Sequence, residues 1–190
     1  MKMILGTASQ YRKQVFEEMN YKDFEVMAAD IDEKSIRLDD PEKLTLALAN
    51  AKADALQKRI QEPALIITAD QVVFWNGEIR EKPDSESQAR EFLKTYHQAP
   101  ARVVNGITVT NTATGKRVSG VNFSTVVFNE IPEEAISRLI EKGDIFNRAG
   151  GIAIEMLKPY IQNAEGTADS FMGLPKDLTR QLIEQALISY

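Results

Sequence analysis

Met3 to Gly6 is an apolar run that breaks into the polar Thr7-Ala8-Ser9, the pattern of a short buried strand. Val15, Phe16 and Met19 share one face of a helix predicted over 10–19, and 24–27 reads as a second short strand. After the acidic stretch Asp30-Ile31-Asp32-Glu33, Pro41 precedes a long helix to about Ile60, with Leu44, Leu48, Ala51 and Ala55 at helical spacing. Ala64 to Thr68 is continuous and apolar, as a strand covered on both faces is. Val72 to Trp75 and Glu78 to Arg80 flank Asn76-Gly77, which suits a two-residue type I′ hairpin turn. With that loop, 75 faces 78, 74 faces 79 and 71 faces 82, which brings Lys82 beside Asp70.

Asp84 is the expected cap of a helix whose stripe is Ala89, Phe92, Leu93 and Tyr96. Two long strands, 102–110 and 118–128, follow around a turn at Thr114-Gly115. Pro132 starts a helix that Gly143 ends. Ile152-Ala153-Ile154 reads as a strand, then comes a loop around Gly166 and a last helix from about Pro175. Strands alternate with helices at first and an antiparallel pair follows, which predicts a mixed α/β sheet. With no repeat or linker, residues 1–190 are expected to form one domain.

Composition narrows the chemistry. The 190 residues are 43% hydrophobic and 27% charged, enough for an ordinary core. A net charge of −5 argues against binding to a nucleic-acid backbone, and so does the lack of interleaved aromatic and basic residues. There is no cysteine, and His97 is the single histidine, so thiolate sites, histidine metal clusters and a Ser–His triad are excluded. A divalent metal must take oxygen ligands, which means Mg²⁺, Mn²⁺ or Ca²⁺. The opening apolar run is too short for a signal peptide, and none approaches the ~20 residues of a membrane span. A cytoplasmic protein with no membrane partner is expected.

Four places carry candidate chemistry. Ser9 is a natural N-cap, yet Arg12 and Lys13 occupy the first turn, where the helix dipole favours acids. That is either an ordinary cap with two solvated cations or the seat of an anion such as phosphate. Asp70 ends a buried run, so it is either half of a structural ion pair with Lys82 or an active-site carboxylate. Lys52 interrupts the stripe of Leu48 and Leu56; it either snorkels to water or reaches a phosphate. Asp30, Asp32 and Glu33 are either solvated or bind Mg²⁺. His97 is expected to cap a helix C-terminus, and Trp75 to pack rather than stack on a base. Neither a P-loop nor a Rossmann fingerprint is present.

Taken together, these segments resemble the Maf family of nucleoside triphosphate pyrophosphatases over nearly the whole chain. The matching motifs are Ser9-x-x-Arg12-Lys13, Asp30-Ile31-Asp32-Glu33, Ala49-Asn50-Ala51-Lys52-Ala53, Ala69 to Val73, Lys82-Pro83, Ala149 to Glu155, and Glu165 to Pro175. Each is weak alone; their order and spacing are specific. The resemblance implies a mixed twisted sheet flanked by helices, with a deep cleft between two lobes, like that of the inosine-triphosphatase group. It implies Asp70, Lys82 and Glu33 as catalytic residues, with Asp70 and Glu33 also toward a Mg²⁺ or Mn²⁺ ion. Ser9, Arg12, Lys13 and Lys52, with Lys82, would contact the phosphates. The substrate would be a nucleoside triphosphate cleaved to monophosphate and pyrophosphate by a monomer or homodimer.

Two departures from the family pattern bear on the base. Members acting on uridine or thymidine nucleotides carry Thr after the Asp and Gln at the later position, where this chain has Gln71 and Glu155. That pairing resembles the branch linked to 7-methyl-GTP, and a carboxylate can accept from a guanine edge. Asn105 also stands where Thr is usual before Gly106. The alternatives are a phosphatase releasing only the γ-phosphate, and a nucleotide sensor or partner-binding regulator of cell division without turnover.

Overall fold

The apolar runs become the strands of a mixed sheet, and the amphipathic segments become the helices flanking it. The computed structural model describes residues 1–21 and 23–188. The strands are β1 (Lys2–Gly6), β2 (Phe24–Val26), β3 (Ala64–Trp75), β4 (Glu78–Arg80), β5 (Ala101–Asn111), β6 (Arg117–Phe128) and β7 (Ile161–Glu165). The helices are α1 (Gln10–Glu18), α2 (Pro41–Gln57), α3 (Glu86–Thr95), α4 (Glu133–Lys142), α5 (Ile154–Leu157), α6 (Ala168–Phe171) and α7 (Lys176–Leu187). Among the described residues the sheet order is β2-β1-β3-β5-β6-β7, with β4 paired to β3. β1 runs parallel to β2 and β3, while the β3–β4 and β6–β7 pairs are antiparallel. None of the described helices is long and apolar enough to cross a membrane.

The chain forms two compact units. The first holds 1–70, 105–122 and 168–190; the second holds 71–104 and 123–167. In the first, strand parity sorts the side chains. Leu5, Leu65, Ile67 and Ala69 join a core with Val15 and Phe16 of α1 and Leu182 and Ile183 of α7. Thr68 and Asp70 point the other way, toward α2, where the Thr68 hydroxyl donates to the Ala49 carbonyl at 2.8 Å. Two glycines let α2 lie close. A Cβ on Gly6 would sit 2.5 Å from Leu56 Cδ1, and one on Gly106 would sit 2.6 Å from the Thr45 carbonyl carbon.

In the second unit, Trp75, Phe92 and Tyr96 enclose the guanidinium of the buried Arg80, which lies 3.8 Å from the Trp75 ring centroid. Trp75 Nε1 also donates to the Ala99 carbonyl at 3.0 Å, so this tryptophan packs, as its place beside the turn suggested. The predicted hairpin register holds over Trp75–Glu78, Phe74–Ile79 and Val73–Arg80, where β4 ends. Asn76 and Gly77 take the positive φ of 47° and 84° that a type I′ turn requires.

Several expected elements differ. Ile152-Ala153-Ile154 is not a strand: Gly150 and Gly151 take φ of 59° and 68°, and the chain coils into α5. A three-residue apolar run cannot by itself separate a strand from a buried turn. β7 was not foreseen, because Ile161-Gln162-Asn163-Ala164-Glu165 is mostly exposed and carries no alternating apolar face. Asp84 is not the cap of α3; the Ser85 hydroxyl takes that place, accepting from the Gln88 N–H at 3.3 Å. His97 lies exposed in the single 3₁₀ turn after α3, whose C-cap is Tyr96. α2 ends at Gln57, three residues before the expected stop.

Candidate active site

A buried carboxylate carries a large desolvation cost unless a partner meets it. Asp70 is 6% exposed at the last position of β3 within the first unit, on the face covered by α2. Its partner is Lys52, also buried, whose Nζ lies 2.6 Å from Asp70 Oδ1. Lys52 stands one turn beyond Ala49, the residue tied to Thr68. The contact that docks α2 on β3 therefore also delivers the ammonium to the carboxylate. Lys52 does not snorkel to water. The hairpin arithmetic speaks only for Lys82 and does not reach Lys52, which comes from α2, 18 residues before Asp70.

Glu33 completes this cluster, its Oε1 lying 2.9 Å from Lys52 Nζ. It sits in a 3₁₀ turn over Glu33–Ser35 capped by Asp32, whose Oδ1 accepts from the Lys34 N–H at 3.2 Å. Of the acidic stretch, Asp30 and Asp32 remain exposed. Glu33 keeps about half its side chain open to solvent.

Arg12 approaches from α1. Ser9 caps the helix as expected, its hydroxyl accepting from the Arg12 N–H at 3.4 Å. The first turn holds no acid. The Arg12 guanidinium turns inward: Nε donates to the Gly173 carbonyl at 3.0 Å and Nη1 to the Ala69 carbonyl at 2.8 Å. Those two bonds leave the Nη2 edge of a fixed, planar donor group. Burial lowers the Arg12 pKa, against the pull of Asp70 and Glu33, but a guanidinium remains charged in proteins. Lys13 lies outward, 3.8 Å from Glu17.

Burial, only partly offset by Lys52 and Arg12, raises Asp70 above the usual carboxylate range. Two carboxylates thus face two cations across a short span of the first unit. Asp70 and Glu33 are all-oxygen donors that fit a hard divalent ion. Among the described residues no group of three or more His, Asp or Glu gathers. A Mg²⁺ or Mn²⁺ ion there would complete its shell with substrate phosphates and water, the usual mode for Mg²⁺.

Gln71, Lys82 and Glu155 belong to the second unit. Gln71 is half-buried and directly follows Asp70; Lys82 is exposed. Glu155, at the start of α5, pairs with the buried Arg148, which Asp144 also meets at 3.3 Å. Sequence reasoning missed Thr68, Gly6 and Gly106, which set how close α2 comes. The signal available was strand parity, since Thr68 and Asp70 fall on one face.

A family model described as Maf-like protein matches residues 2–186. The chain is 44% identical to a 7-methyl-GTP pyrophosphatase of Dictyostelium discoideum over 190 residues, which cover 96% of each protein. It is 33% identical to a dTTP/UTP pyrophosphatase of Clostridium perfringens over 186 residues, 97% of this chain and 96% of that protein. A solved structure of a nucleoside-triphosphatase, dITP/XTP pyrophosphatase from Mycobacterium abscessus, covers 99% of this chain and 100% of its own at 12% identity. Its TM-score is 0.45. The family match runs through both the cluster around Asp70 and the second unit, and the chain belongs to the Maf family.

Proposed function

We propose that this protein hydrolyses nucleoside triphosphates to the monophosphate and pyrophosphate, with 7-methyl-GTP favoured over dTTP and UTP. The observation that carries the reading is a buried carboxylate, Asp70, held by Lys52 with Glu33 and the fixed guanidinium of Arg12 close by. In the proposed reaction a water oxygen attacks the α-phosphorus. Its proton passes to Asp70, and the bond from the α-phosphorus to the bridging oxygen breaks as pyrophosphate leaves with that electron pair. An Asp70 carboxyl raised above its ordinary range suits a general base better than a free aspartate does. Such transfer needs positioning and charge neutralisation more than covalent chemistry.

Arg12, Lys13, Lys52 and Lys82 would supply positive charge to the phosphates, with Ser9 at the start of α1 beside them. Lys82 and Glu33 would act in the chemical step with Asp70. A divalent cation held by Asp70 and Glu33 would add to the neutralisation of phosphate charge. Gln71 and Glu155 would meet the base; Arg148 holds the Glu155 carboxylate in place while about half of that side chain stays open. The preference for 7-methyl-GTP is supported by this pair of residues and by the relative of that name.

The test is product release from a panel of triphosphates with Mg²⁺ or Mn²⁺. The panel holds the normal ribo- and deoxyribonucleotides, 7-methyl-GTP, pseudouridine triphosphate and ITP. Pyrophosphate and monophosphate are expected in equal amounts, with kcat lowered about a hundredfold to ten-thousandfold in Asp70→Asn. Orthophosphate alone would point to γ-phosphate removal instead. Nucleotide binding without any turnover would favour a sensor.

A further inference from the structure

The turn between α6 and α7 is built as a post for Arg12. Its Gly173 carbonyl accepts from Arg12 Nε at 3.0 Å. Gly173 takes φ of 93°, a conformation that strains a residue with a side chain. The turn is held independently of Arg12. Asp169 Oδ2 accepts from the Lys176 N–H at 2.6 Å, and the Asp169 carbonyl accepts from the Leu174 N–H at 3.1 Å. The Ser170 carbonyl accepts from the Gly173 N–H at 3.1 Å and from Asn105 Nδ2 at 3.0 Å. Asn105 is fully buried on β5, which gives a place to the residue that departs from the family pattern.

A free arginine side chain samples many rotamers, and a guanidinium fixed before the ligand arrives has already lost that freedom. With Nε held by Gly173 and Nη1 by Ala69, the plane of the Arg12 fork is set by two backbone carbonyls. We propose that Asp169 and Asn105 are positioning residues that fix the Arg12 guanidinium for the substrate phosphates, acting through the Gly173 carbonyl. The inference rests on the proposed function, in which Arg12 contacts phosphate.

The experiment compares steady-state turnover of 7-methyl-GTP by the full-length chain and its Asp169→Ala, Asp169→Asn and Asn105→Ser variants, each also made with Arg12→Lys. Asp169 is only partly buried, so its alanine variant is expected to fold, which a thermal melt checks. Asp169→Ala should lower kcat/KM about tenfold to a hundredfold, the scale of a misplaced contact. Asp169→Asn keeps an acceptor for the Lys176 N–H and should restore most of that loss. Asn105→Ser should lower kcat/KM in the same direction. In the Arg12→Lys background, where the bond to Gly173 is already gone, Asp169→Ala should add nothing. Unchanged kcat/KM in Asp169→Ala, or an equal further loss on top of Arg12→Lys, overturns the inference while leaving the proposed reaction intact. Wild-type kcat/KM in Arg12→Lys overturns the phosphate role of Arg12 itself, and the inference with it.

Discussion

Replacing Lys52 by methionine keeps the length of the side chain and removes its charge, leaving Asp70 buried without its 2.6 Å partner. Breaking one side of a buried ion pair costs about 3–5 kcal/mol. The structure sets a ceiling on that figure, because Asp70 can escape by taking a proton. Holding a carboxyl of ordinary pKa near 4 protonated at pH 7 costs about 1.4 kcal/mol for each of roughly three pH units, or about 4 kcal/mol. At pH 5 the same escape costs only about 1.5 kcal/mol. Glu33 also loses its contact, but it is half exposed and water replaces the ammonium there.

The sign follows from linkage. Asp70 already sits above the usual range in the wild type, mainly through burial, so the folded state binds its proton more tightly than the unfolded state does. Its contribution to stability is present below the ordinary carboxyl pKa and is lost as pH rises through the folded value. Without Lys52 the folded value rises further and the loss extends to higher pH. Lys52→Met should therefore be destabilised by about 3–4 kcal/mol at pH 7 and by about 1–2 kcal/mol at pH 5. Urea unfolding in metal-free buffer at both pH values measures it. Combining Lys52→Met with Asp70→Asn should recover much of the pH 7 loss, since no charge is then stranded. A cost below about 1 kcal/mol at pH 7, or one that does not change with pH, would refute the claim that this pair is buried and coupled.

Three further outcomes are expected. Gly106→Ala places a methyl 2.6 Å from the Thr45 backbone, which cannot yield as a side chain would. It should cost about 1–3 kcal/mol in chemical denaturation and lower turnover as α2 and Lys52 shift. Tyr96→Phe removes the hydroxyl that donates to the Gly150 carbonyl at 2.6 Å in a buried place. It should cost about 1–3 kcal/mol in a urea titration, and a change under about 0.5 kcal/mol would show that water replaces the bond. Glu155→Gln should lower the ratio of kcat/KM for 7-methyl-GTP to that for UTP by about tenfold, and an unchanged ratio removes Glu155 from base recognition.

The periodic parts of the fold were readable because one force dominates them. Val15 and Phe16 on α1, and Leu44 and Leu48 on α2, bury where the helical period puts them. The Asn76-Gly77 turn implies a register that holds over the three pairs from Trp75–Glu78 to Val73–Arg80. The losses fall where no single local preference decides. Ile152 to Ile154 has strand-like composition, yet Gly150 must approach Tyr96 so closely that a Cβ there would meet its hydroxyl at 2.4 Å. β7 gains its place from pairing with Thr125 to Phe128, and that partner is invisible in its own polar sequence.

The site shows the same division more sharply. Asp70, Lys52, Glu33 and Arg12 were each recognisable as a charge in the wrong place: at the end of a buried run, inside an apolar stripe, within an acidic stretch, and at a positive helix end. Which charge meets which is a tertiary question, and hairpin arithmetic can speak only for the hairpin's own lysine, Lys82. The structure answers it through three uncharged residues. Gly6 and Gly106 remove the side chains that would hold α2 off the sheet, and Thr68 ties the helix to the strand at Ala49. Once those are set, Lys52 is one turn further along the helix and Asp70 two residues further along the strand, on facing surfaces. An ammonium and a carboxylate brought so near in a dry place must pair, and the 2.6 Å contact is the consequence of where two glycines and a threonine stand.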